Sequence, residues 1–463
     1  MDSSSGTTQS ATETAAVRRD KPSRGKRILL WAAVLIPLFL AHLAADWFMA
    51  SRHSVFFLHD DGDEYLTDVK SFAETNTMMA GKERHYEAPR TRDIPEVFRT
   101  PFMGVAGGLL AKPLGTTAGT AVFTALAATL LAWTVFLIAR SWGGTAAGVI
   151  SALLVTFHPL FLTFSLRFSS ECPFMLMLAA FILAWTALKP PWNAPVMGVF
   201  AGLACWVRPT ALLLLPAFGV FQLIRCAFGG FLRDDAAPGV KKTLLNYAVY
   251  AAAFLLLLSP LCIRNHINYG TWNPSGCLGG FNLFVGNNRD NALAYRASDG
   301  KEFLEHQDEG WNRAIAFAKT MPCDLPPPEQ DRLFREAAMR EIRSMGAGGF
   351  CRMSASKAWH FVRPWPLHGA HPRTVFWLIT LAELALFAGG AAGVRILRKD
   401  RTFLLFLLMI LCVGWSAHTF VHLQMRHRVP FLDLPLVLLA GVAFGRVLEC
   451  AWNRFKSRFL VRH

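Results

Sequence analysis

The stretch ILLWAAVLIPLFLAHLAADWF, from Ile28 to Phe48, is the part of the chain that decides the class of fold. A helix that crosses a bilayer needs about 20 mostly apolar residues, and this run supplies them. No small-residue cleavage site lies close behind it, so we interpret the run as a retained anchor and not a removed signal peptide. The sequence therefore predicts a membrane protein.

The composition extends this interpretation over the whole chain. Of its 463 residues, 53% are hydrophobic and 17% are charged, and the mean hydropathy is +0.32. This apolar content exceeds the need of one soluble core. Hydropathy predicts nine further spans, which makes ten in an all-α polytopic bundle. They lie at about 119–139, 143–164, 172–188, 194–207, 209–225, 244–263, 375–395, 402–422 and 429–447.

The net charge of +15 comes mainly from short basic segments beside the predicted spans. This is the positive-inside pattern of membrane proteins, so it argues against a nucleic-acid partner. Ten spans place all six segments on one side, with both termini in the cytoplasm. The segments are RRDKPSRGKR before the first span, the turns at Arg140 and Lys189, and residues 225–242, 395–401 and 454–459.

The chain then divides into five parts. A Ser- and Thr-rich tail is predicted to be disordered, and two transmembrane modules enclose an outward-facing, mostly helical cap. Helical spacing in the cap recurs at 301–321 and 331–346, and one disulfide could form among Cys277, Cys323 and Cys351. The parts are 1–27 (tail), 28–263 (first transmembrane module, with the first outer loop at 49–101), 264–373 (cap), 374–448 (last spans) and 449–463 (basic cytoplasmic tail).

The first outer loop contains HDDGDEYLTD, from His59 to Asp68, with four carboxylates within five residues. Apolar positions from Tyr65 onward recur at helical spacing and predict an interfacial helix against the membrane lipids. One acid could cap that helix. Four adjacent acids repel one another near a low-dielectric boundary, so a cation, an arginine or a function must offset the repulsion. The functional alternative is that one carboxylate is a general base.

The order of several motifs resembles bacterial GT-C-fold glycosyltransferases. The similarity is to the RgtA/B/C/D-like group, which is related to the dolichyl-phosphate-mannose protein mannosyltransferases and the lipid A aminoarabinose transferase. It runs over most of residues 28–447. The motifs are Asp61-x-x-x-Tyr65, FRTP at 98–101, GLACWVRPTALLLLP at 202–216, SPLCIRNHINYGTWNPS at 259–275, GFNLFVGNN at 280–288 and QMRHRVPFLDLPLVLLAG at 424–441.

The resemblance implies an inverting glycosyltransferase of hexosyl or pentosyl groups in the cytoplasmic membrane. Such an enzyme takes a sugar from a polyprenyl-phosphate donor and passes it, on the outer face, to a glycan, lipid or protein acceptor. The position that matches the catalytic acid is Asp61, and its neighbours could share or replace its role. Those neighbours are Asp60, Asp63 and Glu64, and the secondary candidates from the motifs are Tyr65, Arg99, Glu171 and Asn287.

A donor phosphate at the outer face needs fixed positive charge, and the planar guanidinium group suits it. Arg264, Arg426 and Arg428 are predicted at outer span ends, against the positive-inside bias, although an arginine there can simply snorkel. A helix at 426–428 would point its two arginines in different directions. Arg208 lies between two short spans, where charge is expensive and therefore a functional hypothesis.

The acids could also have an arginine or a metal ion as a partner. Glu171 could pair with Arg167 on one helical turn, or serve as the second acid that some relatives carry. His59 and His85, together with Asp60 and Asp61, could supply ligands for a divalent metal, which the sequence leaves open.

Two other functional classes fit parts of the pattern. A transporter or lipid-linked glycan flippase also has many spans with buried charge, but the sequence shows one broken pair of spans, at 194–225, without a matching half. A related protein that binds a lipid-linked glycan without turnover is the third class. The two large outward segments and the acidic loop favour an enzyme.

Overall fold

The computed structural model describes residues 24–58, 61–80, 87–232, 238–297 and 299–459. These ranges contain sixteen α-helices. In chain order they are α1 Arg24–Ser51, α2 Gly62–Thr75, α3 Phe102–Leu114, α4 Thr116–Phe157, α5 Pro159–Ser165, α6 Glu171–Ala187, α7 Asn193–Val207, α8 Leu214–Leu232, α9 Val240–Tyr269, α10 Gly279–Asn287, α11 Arg289–Ala297, α12 Gly300–Lys319, α13 Pro327–Val362, α14 Arg373–Ile396, α15 Arg401–Phe420 and α16 Leu434–Phe459.

The remaining regular structure of these ranges is short. Strand β1, Met79–Ala80, pairs antiparallel with β2, Ile94–Pro95, so that Met79 lies opposite Pro95. A 3₁₀ turn at Pro209–Leu213 joins α7 to α8. A second 3₁₀ turn at Met425–His427 and a π-helical turn at Val429–Asp433 lead into α16.

The apolar helices confirm the all-α, membrane-embedded fold class. Seven helical segments of the described chain are long and apolar enough to cross a membrane. Helix α4 contains non-helical backbone at Gly144 (φ 79°, ψ −175°), close to the boundary between two predicted spans. Seven of the ten predicted spans each lie on one helix to within two residues, whereas 143–164 runs from α4 into α5, 209–225 from a 3₁₀ turn into α8, and 429–447 from a π-helical turn into α16. The additional apolar helix α3 lies outside the predicted spans.

Helix α4 is the centre of the bundle. It packs against α1, α3, α6 and α16, while α7 packs on α9 and α14 on α16. Helices α4 and α16 approach each other closely at Gly441, where an added Cβ would collide with the Ser151 side chain. Small residues allow such approaches between helices in a membrane, where packing rather than the hydrophobic effect holds helices together.

The predicted cap, residues 264–373, is helical, with α10, α12 and α13 sharing an apolar core around Phe281, Phe284 and Phe334. Helix α13 changes direction at Gly346, whose φ is 66°. The end of helix α10 lies in close contact with the segment after α15. A Cβ added to Gly286 would collide with the Val421 carbonyl. The nine cysteines are free thiols, including the three in the cap.

A buried charge cluster as the candidate active site

Asp61 stands immediately before α2, but its side chain makes no capping hydrogen bond. Its two oxygens face two arginines instead. Arg99 donates from Nη2 to Oδ1 at 2.8 Å, and Arg426 Nη1 lies 3.2 Å from Oδ2. Helix capping therefore does not account for this acid. Two guanidinium groups, from segments distant in sequence, neutralise it.

Arg99 connects Asp61 to the first turn of α2. Its Nε donates to Glu64 Oε2 at 2.7 Å, and its guanidinium lies 5.7 Å from the centre of the Tyr65 ring. The loop that carries Arg99 is held by the buried Glu96 carboxylate, which accepts the backbone N–H of Arg99 at 2.7 Å. The backbone is thus fixed next to the side chain that faces Asp61.

Glu171 is a second carboxylate of the same cluster. It opens α6, is 1% exposed, and accepts a hydrogen bond from Arg208 Nη2. Arg208 Nε also donates to Ser170 Oγ at 3.0 Å, and Arg426 Nε lies 3.5 Å from Glu171 Oε1. The pairing that the structure shows for Glu171 is therefore with Arg208 and Arg426. The predicted alternative, Arg167, places its guanidinium 4.8 Å from the Phe56 ring centre.

Arg208 reaches this position because the helix ends at it. The residue is extended (φ −147°, ψ 127°) between α7 and the 3₁₀ turn that begins with Pro209. A proline disfavours helical backbone in the residue before it, so the break is local in origin. Thr100 Oγ1 donates to the Val207 carbonyl at 2.7 Å, which ties the Arg99 loop to this break.

Arg426 joins the two carboxylates, Asp61 and Glu171. It lies in the 3₁₀ turn Met425–His427, and its Nε donates to Gln424 Oε1 at 2.6 Å. The turn is closed by a reciprocal pair, in which Gln424 N donates to His427 Nδ1 at 3.1 Å. The cluster thus brings together three guanidinium groups and three carboxylates. Its members are Arg99, Arg208, Arg426, Asp61, Glu64 and Glu171.

Arg428, two residues after Arg426, belongs to a different network. It is 1% exposed, and its Nη2 donates to Glu383 Oε2 at 2.5 Å and to Asp433 Oδ1 at 2.6 Å. Its Nη1 donates to the Arg363 carbonyl. The helical turns at 425–433 direct the two arginines to different sides. The structure therefore does not bring Arg428 to the Asp61 cluster, although the sequence grouped it with the donor-phosphate residues.

The other candidates form no hydrogen bond or ion pair with the members of this cluster in the part of the chain that the structure describes. Arg264 Nε and Nη2 both donate to Asn265 Oδ1. The carboxylates of Glu96 and Asp68 are close enough to attract its guanidinium group electrostatically. Asp63 is exposed on α2. Asp60, His59 and His85 lie outside the described residues, so the structure gives no position for them.

Asn287 supports the segment that leads to Arg426. Its Nδ2 donates to the Phe420 and Val421 carbonyls, at 3.1 and 3.0 Å. Its Oδ1 accepts from the buried Lys357 Nζ at 2.9 Å, and Lys357 also donates to the Val421 carbonyl at 3.3 Å. Sequence reasoning missed Lys357, because a single lysine in an amphipathic cap helix gives no local signal of burial.

The electrostatics of the cluster keep Asp61 ionised. Burial by itself raises the pKa of Asp61. The charges of Arg426, Arg99 and Arg208, with the hydrogen bond from Arg99, outweigh that effect and hold the pKa well below its usual range. Burial also raises the pKa of the Tyr65 hydroxyl. The cluster can therefore present a carboxylate next to fixed positive charge.

In the part of the chain that the structure describes, no group of three or more His, Cys, Asp or Glu side chains is arranged to hold a metal ion. Both oxygens of Asp61 face arginines. The other predicted ligands are His59, Asp60 and His85, which lie outside that part. The metal therefore remains a prediction from the sequence.

No protein-family model and no curated protein sequence matches the chain. Solved structures do match. The chain superposes on the oligosaccharyltransferase AglB of Archaeoglobus fulgidus, in complex with an inhibitory peptide and a dolichol-phosphate, with a TM-score of 0.54 and 14% identity over 94% of this chain. A structure of an Archaeoglobus fulgidus oligosaccharyltransferase tethered with an acceptor peptide gives a TM-score of 0.51 and 15% identity over 93% of this chain.

The chain has the GT-C fold. It spans about half of these oligosaccharyltransferase chains, 52% in both superpositions. ArnT of Cupriavidus metallidurans bound to undecaprenyl phosphate also matches, at 16% identity over 92% of this chain and 79% of that one, but its TM-score of 0.36 is too low to argue from. At these identities the similarity concerns the GT-C fold alone.

Proposed function

We propose that this GT-C-fold chain is a membrane glycosyltransferase with an inverting mechanism. It would transfer one sugar from a polyprenyl-phosphate donor to an acceptor on the outer face of the cytoplasmic membrane. The observation that carries the proposal is Asp61, an ionised carboxylate of the first interhelical loop between Arg99 and Arg426. The dolichol-phosphate and peptide bound to AglB, a protein of the same fold, support the donor and acceptor classes.

In the proposed reaction Asp61 acts as the general base. It takes the proton from an acceptor hydroxyl or amine while the acceptor atom forms a bond to the anomeric carbon of the sugar. The bond between that carbon and the phosphate oxygen breaks, and its electron pair leaves with the polyprenyl phosphate. Attack opposite the departing oxygen inverts the anomeric carbon. Positioned acid–base groups of this kind contribute about 10²- to 10⁴-fold to a rate.

Arg426 and Arg208 are the groups that would bind the donor phosphate. Guanidinium groups can bond two phosphate oxygens at once, and these two already face the same carboxylate, Glu171. Arg264 would contribute from the edge of the cluster. Its Nη1 is buried without a hydrogen-bond partner among the described residues. In this assignment Arg428 has a structural role.

Donor binding would also activate the base. Without a donor, Arg426 and Arg99 lower the pKa of Asp61, and a carboxylate with a lower pKa is a weaker base. A phosphate shared with Arg426 would draw positive charge from Asp61, and the pKa of the carboxyl would rise. The base would therefore become effective once the sugar is in place, which limits unproductive chemistry before donor binding.

The test is transfer of radiolabelled sugar from a panel of polyprenyl-phosphate monosaccharides by the purified protein, with membrane extract as acceptor. Asp61→Asn should lose about 10²-fold or more of the rate while it still binds the donor. Asp63→Asn compares an exposed acid of the same loop and should transfer at close to the unmodified rate. Glu74→Gln, at the exposed end of α2, controls for a general effect of removing charge.

Two results would contradict the proposal. Equal transfer by Asp61→Asn and the unmodified chain would remove Asp61 as the base. Absence of transfer with every donor, together with sugar-independent lipid movement in liposomes, would favour the flippase instead.

A further inference from the structure

Four cationic side chains surround a cavity of about 410 Å³ that the proposed transfer reaction does not use. They are Arg395, Arg398, Lys399 and Arg446, and Ile396 completes the lining. Arg395 is in the last turn of α14, Arg398 and Lys399 follow it, and Arg446 is in α16. The cavity is thus formed where two packed helices and the turn after the first of them meet.

The cavity is separated along α14 and α16 from the Arg428 network. Glu383 on α14 and Asp433 just before α16 both contact Arg428, so the two helices are side by side at that level. Arg395 and Arg446 lie on the same two helices farther along the chain. At 1.5 Å per residue, each is about 20 Å from the Arg428 level. The cavity therefore lies toward the end of the bundle that the charge pattern predicts to be cytoplasmic.

The positive-inside rule accounts for basic residues at this end, but it does not require them to share one cavity. Like charges repel, so four of them around one concave surface raise its energy unless an anion lies between them. No ion pair is formed by any of the four within the described ranges. The nearest acids along the chain are Asp400, next to Lys399, and Glu449, one turn after Arg446, and both are exposed. The arrangement therefore leaves room and positive potential for an anion from outside the chain.

Exposed apolar side chains stand next in sequence to residues that line the cavity. Val394 precedes Arg395, and Val447 and Leu448 follow Arg446, and all three are exposed. A free phosphate ion would use only the cations. A phospholipid would use both features, since its phosphate would enter the cavity while its acyl chains lie along exposed apolar helix surface. Basic pockets between transmembrane helices on the cytoplasmic side are known to bind anionic lipid head groups.

We propose that this cavity binds the phosphate of an anionic phospholipid of the inner leaflet. The three guanidinium groups suit phosphate oxygens, and the ammonium group of Lys399 adds a fourth charge. The bound lipid would offset part of the positive charge of the cavity and hold the end of α14 against the middle of α16. The inference is independent of the proposed transfer reaction, because no residue of the cavity belongs to the Asp61 cluster.

The test is native mass spectrometry of the purified full-length chain after exchange into phosphatidylglycerol, phosphatidylcholine or mixtures of the two. The variants are Arg446→Gln and the double variant Arg398→Gln/Arg446→Gln. The matched control is Arg401→Gln, which removes the same charge at the same end. Its guanidinium lies 4.7 Å from the Phe231 ring centre and donates to the Phe231 carbonyl, and the residue does not line the cavity.

We expect the unmodified chain and Arg401→Gln to retain phosphatidylglycerol in preference to phosphatidylcholine, and the double variant to lose that preference at least tenfold. Equal lipid retention by the double variant would overturn the proposal. Complete displacement of phosphatidylglycerol by inorganic phosphate at equal concentration would assign the cavity to a free anion instead. Unchanged elution in size-exclusion chromatography checks that the variants fold, which is expected because all four side chains are exposed.

Discussion

Replacing Arg428 by glutamine should destabilise the fold strongly, although the residue stands only two positions from Arg426. The Arg428 guanidinium compensates Glu383 and Asp433, whose side chains are both 0% exposed. Removing one partner from a buried ion pair costs about 3–5 kcal/mol, because a buried charge is left uncompensated. Here two carboxylates lose their cation. The unpaired Arg363 carbonyl adds about 1–3 kcal/mol.

Arg426→Gln is the matched comparison. The Arg426 side chain is 17% exposed, and after its loss Asp61 keeps Arg99 while Glu171 keeps Arg208. We therefore expect a small change in unfolding free energy but weaker donor binding. The assay is denaturant unfolding of the purified chain in detergent, followed by tryptophan fluorescence, alongside binding of a polyprenyl-phosphate sugar.

A combined variant separates charge from packing at Arg428. Arg428→Met with Glu383→Gln and Asp433→Asn should recover much of the lost stability, since a neutral replacement of a whole buried ion cluster is often tolerated. The reasoning would be refuted if Arg428→Gln unfolded like the unmodified chain and lost donor binding. That result would place Arg428 in the donor site, as the sequence alone suggested.

Two further predictions concern the contact between the cap and the segment before Arg426. Burial lowers the pKa of Lys357 to about 7, so between pH 7 and its ordinary value of 10.5 the unfolded chain binds more protons than the folded one. The free energy of unfolding should therefore rise with pH in that window. The melting temperature of Lys357→Met should rise less with pH than that of the unmodified chain, and an equal rise in the two proteins would contradict this. Gly286→Ala should displace Val421 and lower the rate of sugar transfer. Gly348→Ala is the control, because a Cβ there meets open space, and it should keep the rate. An equal loss of rate in the two variants would contradict the role of the contact.

Hydropathy predicted the apolar helices because the apolar content of a run is a local property of the chain, although seven helical segments of the described chain, and not ten, are long and apolar enough to cross a membrane. A run of about 20 apolar residues has few alternatives to a membrane helix. The helix after Asp61 was predicted for a similar reason, since Tyr65 and Val69 recur at helical spacing, but its apolar face is buried against protein side chains such as Met103 and not against lipid. Hydropathy did not predict helix α3, because it has only 13 residues and carries Lys112 and Pro113 near its end.

The pairings in the site could not be predicted in the same way. Arg99 and Arg426 meet at Asp61, and nothing in the spacing of these three positions indicates it. The Arg-x-Arg motif showed that two cations are close in sequence. Only the turns at Met425–His427 and Val429–Asp433 determine which of them faces Asp61. Charge type was readable from the sequence, whereas charge partners depend on tertiary structure.

The cationic groups of the site share a structural property that links the site to the cap. Arg99 lies in the loop before α3, Arg208 in the break after α7 and Arg426 in the 3₁₀ turn before α16, so none of the three is inside a regular α-helix. In a membrane protein such interruptions are tolerated only where other groups satisfy the freed backbone atoms. Thr100 does so for the α7 break, and Asn287 of the cap does so for the end of α15. The cap is therefore part of the scaffold that holds Arg426 in place, in addition to any covering role. A change in cap packing should reach the charge cluster through the α15 end without contact with a substrate.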